Sequence, residues 1–252
     1  MSMSNILILN KEIGETPLEA LEKTRIRVGI SDNVPMTYAG RLDPMAEGVL
    51  IVLVGEECKN KDKYLGLDKE YEVEVLFGFA TDSYDILGKS VSARTALAEP
   101  EARAVLAELL KFKGKFVQEY PAYSSKTVDG VQLHELANKG ELPDEMPTKE
   151  VEIYDIEIMK EREINSEVLL EEIKNKIAKV KGDFRQNEIL ELWQQNLQGL
   201  DPYKSFQVIK IKVACSSGTY MRTLAHNLGK NLGVPALAYS IKRTRAGEYR
   251  LN

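Results

Sequence analysis

Residues 39–55 read AGRLDPMAEGVLIVLVG, a loop of turn-forming residues that leads directly into a continuous apolar run. The run from Gly48 to Gly55 is rich in β-branched residues and carries no charge, which is typical of a strand buried on both faces. Within the loop, Asp43 precedes a proline. Such a turn holds a carboxylate rigidly at the edge of a sheet, within reach of a substrate, although Asp-Pro turns are also common as purely structural features.

Around this strand, strands and helices follow one another without the strict alternation of a βαβ fold. The predicted strands are residues 5–9, 48–55, 71–79, 151–158, 206–215 and 247–251. Helices are predicted to begin with a capping box at Thr16, at Pro100, after Gly130, at Ser166 and at Thr219. This mixture favours an α+β fold over a doubly wound parallel sheet.

The composition is that of a globular protein, with 252 residues, 43% hydrophobic and 29% charged. That length accommodates one large domain or two small ones. No apolar run reaches the ~18 residues that a membrane helix requires, and the start of the chain does not resemble a signal peptide, so we expect a cytoplasmic protein. Cys58 and Cys215 lie far apart in the sequence, as do the two histidines, which argues against disulfides and a metal site.

The net charge of −5 conceals an asymmetry along the chain. Residues 202–252 hold nine basic residues and one acidic residue, a net charge of +8, which leaves −13 for residues 1–201. The total charge argues against nucleic acid as a partner, but the basic segment is a recognised indication of an anionic one. A solvated basic face on a strand and a helix is an equally good interpretation of the charge alone.

Residues 39–50 resemble the GxLDPxAxGvL motif of the TruB-type pseudouridine synthases, which isomerise a uridine in the T-loop of tRNA. Other parts of the chain resemble further motifs of that family, in the same order. They are Asn10-Lys11 with Gly14 and Thr16, Lys69-Glu70-Tyr71, the loop from Gly78 to Gly88, the stretch from Pro121 to Gly130, and the segment from Cys215 to Thr223. Each block is weak by itself, but their order and spacing together are specific.

The resemblance implies a pseudouridine-synthase-like catalytic domain with a largely antiparallel central sheet, flanking helices and an active-site cleft. Residues 1–252 would form a single domain, in which 124–150 correspond to the family's RNA-clasping insertion. Residues 160–200 are interpreted as a helical insertion, and there is no room for the C-terminal PUA-type domain that many members carry. The resemblance further implies a monomer that binds the T-arm of tRNA without a cofactor or metal ion.

The resemblance also assigns the catalytic residues. Asp43 matches the catalytic aspartate, which acts either as a nucleophile at the sugar or in a glycal-type route. Arg222 matches the arginine that pairs with this aspartate, and Tyr71 matches the tyrosine that lies against the target base. Taken singly, Arg222 would be interpreted as a solvated surface arginine and Tyr71 as half-buried packing.

Four residues are assigned to substrate binding by the same resemblance. Tyr38 occupies the position of the usual histidine in a Gly-His-Thr-Gly string, so that base flipping would rely on a phenol ring. Ile241 would line the uracil pocket, although a plain core isoleucine fits the pattern equally. Lys11 would support the base of the pocket, and Lys126 belongs to the clasping segment.

Four other interpretations of the residues remain open. A non-catalytic tRNA-binding or folding protein, or a synthase acting on another RNA, would also use a basic face and a clasp. A glycoside hydrolase needs a second carboxylate, for which Glu47 is available. The Asp82/Asp85 pair is a weak indication of a metal site, and we prefer a role for these residues in capping their loop.

Overall fold

The structure is a computed structural model that describes residues 5–93, 100–198, 200–201 and 204–251, and its described strands and helices form an α+β fold. The strands are β1 (Ile6–Lys11), β2 (Met36–Ala39), β3 (Ala46–Val54), β4 (Lys69–Phe77), β5 (Phe79–Thr81), β6 (Ser90–Ala93), β7 (Gly114–Glu119), β8 (Thr127–Val128), β9 (Val131–Gln132), β10 (Thr148–Asn165), β11 (Ser205–Cys215), β12 (Ala236–Ala246) and β13 (Tyr249–Arg250). The helices are α1 (Pro17–Val28), α2 (Lys61–Leu65), α3 (Ala102–Lys111), α4 (Leu133–Lys139), α5 (Ser166–Ile177), α6 (Gln186–Leu197) and α7 (Met221–Leu232), and a 3₁₀ helix (Gly55–Asn60) precedes α2. The predicted fold class is confirmed.

Nine of the described strands form one central sheet, in the order β1-β3-β12-β4-β11-β10-β7, with β2 also paired to β3 and β13 to β12. Among the described strands of this sheet, β3 and β12 pair in parallel and the other pairs are antiparallel. The predicted, largely antiparallel sheet is therefore confirmed. The parallel pair places the end of the Asp43 loop beside the middle of β12.

Helices cover both faces of the sheet. Successive residues of a strand point to opposite sides, and the central strands carry apolar residues on both sides that need to be buried. In β4, Val73 and Val75 share a buried cluster with Leu228 of α7. Leu76 follows Val75 in the strand and belongs to a different buried cluster, which contains Trp193 of α6. Strand β4 is therefore buried on both faces, by α7 on one side and by α6 on the other.

Strand β3 is likewise buried on both faces, which accounts for its continuous apolar sequence. Val49, Ile51 and Leu53 belong to one buried cluster, and Leu50 and Val52 to another that contains residues of α1. Every residue from Val49 to Leu53 is 0% exposed. The buried strand predicted from the apolar run is confirmed, and the loop that carries Asp43 is anchored by it.

Local sequence signals predicted the start of helix α1 correctly but not the start of helix α7. At α1 the capping box is present, since the Thr16 hydroxyl accepts from the Glu19 amide at 3.2 Å and the Glu19 carboxylate accepts from the Thr16 amide at 2.7 Å. The predicted start of α7 at Thr219 is wrong, because the helix begins at Met221. The Thr219 hydroxyl donates instead to the Ser216 carbonyl at 2.9 Å and closes the preceding turn.

Four further differences concern segments whose sequence pattern is irregular. Helix α3 begins at Ala102 rather than at Pro100. Strand β2 lies within the stretch of turn-forming residues from Ser31 to Gly40, and β12 was not predicted, because its charged residues interrupt the apolar pattern. Residues 160–165 continue β10, so the helical part of the proposed insertion begins at Ser166.

No helix in the described ranges is both long and apolar enough to cross a membrane.

Candidate active site

A cleft of about 980 Å³ opens beside the loop that joins β2 to β3, and Asp43, Tyr71 and Arg222 all line it. One wall is formed by the segment after β7, which contributes Ser124, Ser125, His134 and Asn138. Another is formed by the loop between α5 and α6, which contributes Asp183, Phe184 and Arg185. The three residues predicted to be catalytic, which are up to 179 positions apart in the chain, are therefore brought together by the fold.

Asp43 and Arg222 form an ion pair in this cleft. Arg222 Nε donates to Asp43 Oδ2 at 2.7 Å, while Nη1 donates to the Ser83 carbonyl at 2.9 Å and Nη2 to the Tyr123 carbonyl at 3.0 Å. The side chain of Arg222 is 3% exposed and that of Asp43 is 37% exposed. The guanidinium is thus held by three separate segments, whereas the carboxylate remains accessible from the cleft.

A second carboxylate, that of Asp85, lies behind the pair and was not predicted as a site residue. Its Oδ2 is 3.8 Å from Arg222 Nε, and its Oδ1 accepts from the Ser83 hydroxyl at 2.6 Å and the Leu87 amide at 3.0 Å. These bonds agree with the predicted role of Asp85 in capping its loop. Burial raises the pKa of Asp85 to about 6, against the opposing effect of the nearby Arg222 charge.

The raised pKa of Asp85 predicts a measurable pH dependence of stability. Between about pH 4 and pH 6 the folded protein keeps a proton on Asp85 that the unfolded chain has released, so the contribution of this group is full below pH 4 and is lost as the pH rises through 6. Relative to an Asp85→Asn variant, the free energy of unfolding should fall by on the order of 2–3 kcal/mol over that interval. Urea titrations of the wild type and Asp85→Asn from pH 4 to 7 measure this difference in the free energy of unfolding. If the free energies of the two proteins changed in parallel with pH, the raised pKa of Asp85 would be contradicted.

Tyr71 is buried in β4, opposite Arg243 of β12 and Val213 of β11. Its side chain lines the cleft, although the residue is only 9% exposed. Burial raises the pKa of the phenol, and the Arg243 charge opposes the rise. The phenol is therefore protonated at neutral pH and is able to donate a proton or a hydrogen bond within the cleft.

Arg243 holds the loop that carries Asp43, a role that the sequence did not reveal. This residue is 1% exposed, and its guanidinium donates to the carbonyls of Val49 at 2.7 Å, Gly40 at 3.1 Å and Arg41 at 3.4 Å. Gly48 lets the backbone of β3 lie close to the backbone of β12 at Arg243. Its φ is +105°, and a Cβ at this position would lie 2.2 Å from the Arg243 carbonyl oxygen. The last glycine of the Asp43 motif is therefore required by the close packing of β3 against β12.

Lys11, which was expected to support the base of the pocket, lies behind the Asp43 loop and is not among the described residues that line the cleft. It is 0% exposed, and its ammonium group donates to the carbonyls of Ala46 at 2.5 Å and Glu12 at 3.0 Å. Burial lowers its pKa to about 8, although Asp43 acts in the opposite direction. Lys11 thus tethers the end of the Asp43 loop from behind.

The other predicted substrate-binding residues have mixed positions. Tyr38 and Ile241 line the cleft, and the Lys61 ammonium lies 5.5 Å from the centroid of the Tyr38 ring. Lys126 is exposed outside the cleft, with its ammonium 5.4 Å from the centroid of the Tyr120 ring. The structure therefore brings Tyr38 and Ile241 to the catalytic candidates and leaves Lys126 apart from them.

The cleft is basic although the protein is acidic. Among the described residues, three acidic side chains (Asp43, Asp85 and Asp183) and seven basic ones line it, the basic ones being Arg41, Lys61, Lys69, Lys149, Arg185, Arg222 and Arg243. Five of these seven lie outside the basic segment 202–252. A local excess of positive charge in a concave site favours an anionic ligand.

Several cations of the basic segment 202–252 are engaged with acidic side chains of β4. Lys210 lies 2.6 Å from Glu72 and Lys212 lies 3.6 Å from Glu70, across the pairing of β11 with β4. Arg245 is 3.9 Å from the same Glu70 carboxylate. Much of the +8 charge is therefore paired with the acidic alternate residues of β4.

The Asp82/Asp85 pair is engaged with protein groups rather than arranged as a metal site. Asp82 pairs with Arg185 at 2.8 Å and accepts from the Lys89 amide at 2.8 Å. Within the described residues, no three histidine, cysteine, aspartate or glutamate side chains cluster as they would around a metal ion.

Comparison with known families and proteins identifies relatives along most of the chain. A family model described as "TruB family pseudouridylate synthase (N terminal domain)" matches residues 33–177, which include Asp43 and Tyr71. A tRNA pseudouridine synthase B of Lactobacillus gasseri is 29% identical over 250 residues, 99% of this chain and 71% of that protein. The synthase of the same name from Geobacillus thermodenitrificans is 31% identical over 252 residues, 99% of this chain and 69% of that protein.

Solved structures resemble the fold. A chain in the crystal structure of a Cbf5-Nop10-Gar1 complex matches with a TM-score of 0.60 and 17% identity, over 98% of this chain and 50% of that one. A chain in the archaeal box H/ACA sRNP Nop10-Cbf5 complex matches with a TM-score of 0.57 at 17% identity. The present chain spans about half the length of these solved chains, and at this identity the likeness shows the fold alone.

Proposed function

The chain belongs to the TruB family of pseudouridylate synthases, and from this premise we propose that it isomerises the T-loop uridine of tRNA, uridine-55, to pseudouridine. The observation that carries the proposal is the ion pair between the accessible carboxylate of Asp43 and the buried guanidinium of Arg222, beside Tyr71 in a basic cleft. The relatives named tRNA pseudouridine synthase B support tRNA as the substrate.

The reaction needs no cofactor in this proposal. The C1′–N1 glycosidic bond of uridine breaks, the uracil turns, and C1′ joins C5. The proton on C5 leaves to solvent and N1 gains a proton, so atoms and electrons balance without an oxidant or reductant. The site must supply a carboxylate near the sugar, retain the detached base and exclude water, which would otherwise compete for the sugar carbon.

We assign these tasks to the residues that line the cleft. Asp43 acts at the sugar, either as a nucleophile or in a glycal-type route, and Arg222 orients its carboxylate. The ring of Tyr71 lies against the base, and its protonated phenol is available for proton transfer. Ile241 supplies an apolar surface to the uracil, in keeping with its place in the lining of the cleft.

The target uridine must leave its stack to reach Asp43, which requires a few kcal/mol that the pocket contacts offset. We assign Tyr38 to this step, since its ring lies at the cleft beside the Lys61 ammonium and is able to stack on a base. Lys126 is proposed to contact the RNA backbone from the clasping segment. Lys11 is proposed to act indirectly, because it supports the Asp43 loop through the Ala46 carbonyl.

We propose further that residues 1–252 act as one catalytic domain and as a monomer. Asp43, Tyr71 and Arg222 come from a single copy of the chain and meet in one cleft, which supports this view. Residues 124–150 would form the RNA-clasping insertion, and they already contribute four side chains besides Lys149 to one wall. The helical part of the 160–200 insertion contributes Asp183, Phe184 and Arg185 of the α5–α6 loop to the same cleft.

The rival functions require features that the described cleft does not favour. A non-catalytic RNA-binding protein does not need a carboxylate paired with a buried guanidinium. A glycoside hydrolase acting through Glu47 would need that side chain in the cleft, whereas Glu47 is absent from its described lining.

The proposal is tested by tritium release from tRNA that carries [5-³H]uridine. Purified protein should release one equivalent of tritium per T-loop uridine in buffer containing neither added metal nor nucleotide, because the C5 proton is lost in every turnover. A matched tRNA with cytidine at that position should release none above background. Binding of both tRNAs without any release would contradict an enzymatic role and favour the RNA-binding alternative, whereas release from both would place the target at another uridine.

A further inference from the structure

The hairpin of α5 and α6 contacts the loop between β5 and β6, residues 82–89, at three points. Trp193 Nε1 donates to the Ile86 carbonyl at 3.2 Å, Glu188 pairs with Lys89 at 2.6 Å, and Arg185 pairs with Asp82 at 2.8 Å. The 82–89 loop is also the segment that supplies the Ser83 carbonyl and the Asp85 carboxylate to Arg222. The hairpin therefore buttresses a loop that holds the catalytic guanidinium.

Arg185 joins this loop to a second segment of the site. Its Nη1 donates both to Asp82 Oδ2 at 2.8 Å and to the Tyr123 hydroxyl at 2.6 Å, and its guanidinium carbon lies 4.2 Å from the centroid of the Tyr123 ring. The backbone carbonyl of the same Tyr123 accepts from Arg222 Nη2. Arg185 is thus linked, through Tyr123 and the 82–89 loop, to both backbone acceptors of Arg222.

The loop that carries Arg185 is held in one shape by its own side chains. Gln186 Oε1 accepts from the Phe184 amide at 2.8 Å, while Nε2 donates to the carbonyls of Gly182 at 2.7 Å and Val180 at 3.2 Å. Arg185 itself has a φ of +63°, in the left-handed region that residues other than glycine rarely adopt. Such a conformation persists only where the surroundings impose it, and it often marks a functional position.

We propose that Arg185 is a positioning residue of the active site, which fixes the Ser83 and Tyr123 carbonyls where they orient the guanidinium of Arg222 toward Asp43. The consequence for catalysis rests on the proposed function, whereas the consequence for the 82–89 loop rests on geometry alone. Arg185 lies beyond residues 33–177, the part of the chain that matches the family model. A guanidinium is suited to the task because its planar fork binds a carboxylate and stacks on an aromatic ring at the same time.

Two variants and a matched control test the proposal. Arg185→Gln removes the charge, and Arg185→Lys keeps the charge but not the fork. The hairpin is expected to remain docked in both, because Ile189 and Trp193 are each 0% exposed in the core. Lys181→Gln is the control, since Lys181 is an exposed cation of the same loop that does not line the cleft.

Hydrogen exchange of the 82–89 loop is the first readout, and it does not depend on activity. The Lys89 amide donates to the Asp82 carboxylate, so its exchange should become about tenfold faster in Arg185→Gln and remain unchanged in Lys181→Gln. The Arg185→Lys variant should lie between the wild type and Arg185→Gln. Unchanged exchange in Arg185→Gln would overturn the proposal, whatever the activity of the protein.

Turnover of tRNA is the second readout. Arg185→Gln should lower kcat by about 10- to 100-fold, as removal of a supporting residue does at other sites, with Kd for tRNA within about threefold of the wild type. Arg185→Lys should recover part of kcat, and Asp82→Asn combined with Arg185→Gln should be no slower than Arg185→Gln alone. A weaker Kd with unchanged kcat would overturn the proposal and make Arg185 an RNA contact. If the wild type releases no tritium, the proposed function fails, and hydrogen exchange alone decides the role of Arg185.

Discussion

Changing Asp43 to asparagine is expected to lower the rate of tritium release from tRNA by at least about a thousandfold. Asparagine has nearly the same shape but is a very weak nucleophile and base, so the step at the sugar is lost in either mechanistic route. Arg222 keeps its bonds to the Ser83 and Tyr123 carbonyls in the variant, and it remains near Asp85. The fold should therefore survive, with a change in the free energy of unfolding within about 1–2 kcal/mol.

Glu47→Gln is the matched control for Asp43→Asn. Glu47 lies four positions from Asp43, is half-buried and does not line the cleft in the described structure. Single-turnover tritium release by this variant should stay within about threefold of the wild type, since substitutions away from a site have small effects. Loss of activity in Glu47→Gln with retention in Asp43→Asn would refute the assignment and favour Glu47 as the reactive carboxylate.

Changing Arg222 to methionine is expected to lower both stability and turnover. The variant leaves the Asp85 carboxylate buried without its guanidinium neighbour and removes the donors to the Ser83 and Tyr123 carbonyls. Breaking a buried charge pair in this way typically reduces the free energy of unfolding by about 3–5 kcal/mol. Because Asp43 also loses its orienting partner, kcat should fall by at least about a hundredfold. Chemical denaturation and single-turnover kinetics measure the two effects.

The loss of stability in Arg222→Met should depend on pH. Burial already raises the pKa of Asp85, and removing the Arg222 charge removes an effect that lowers it. The unpaired carboxyl will therefore keep its proton to a higher pH, so the difference from the wild type should be small near pH 5 and should grow as the pH rises through 6 and above. A difference that is constant from pH 5 to 8 would contradict this account.

A double variant separates the two consequences of losing Arg222. Arg222→Met combined with Asp85→Asn removes the buried charge, so much of the lost stability should return while turnover stays low. This variant also keeps the test decisive if Arg222→Met alone fails to fold. Full recovery of turnover in the double variant would show that Arg222 acts only through stability.

Elements with strong local signals were predictable from the sequence. The capping box at Thr16 specifies the start of α1, and the uninterrupted apolar run after Gly48 specifies β3, since both depend on neighbouring residues alone. Strand β12 was missed because Lys242, Arg243 and Arg245 disrupt its pattern. Arg243 is nevertheless buried, because backbone carbonyls from a distant loop satisfy its guanidinium, and no local pattern records such partners.

The candidate site shows the same division. Asp43, Tyr71 and Arg222 were identified because the short strings that contain them resemble motifs of the TruB-type synthases, whereas each residue taken singly also has a plain structural interpretation. Asp85 and Arg185 were not identified as site residues, since their roles arise from contacts with Arg222 and Asp82, which lie far from them in the chain. The distribution of charge along the chain did not reveal the basic cleft for a related reason, because sequence counts cannot show that acidic residues of β4 face the basic residues of β11.

By itself, the sequence determined the α+β class and the buried strand beside the Asp43 loop, and its resemblance to the TruB-type synthases supplied the three residues that we propose to carry the chemistry. All of these depend on local patterns, because apolar periodicity, caps and short motifs involve residues close together in the chain. Only the tertiary structure decided how that chemistry is held: Arg243 and Lys11 fix the loop, and Asp85, Tyr123 and the Arg185 hairpin surround Arg222. These contacts join buried cationic side chains to carboxylates and backbone carbonyls of distant segments, and such partners come together only once the chain has folded.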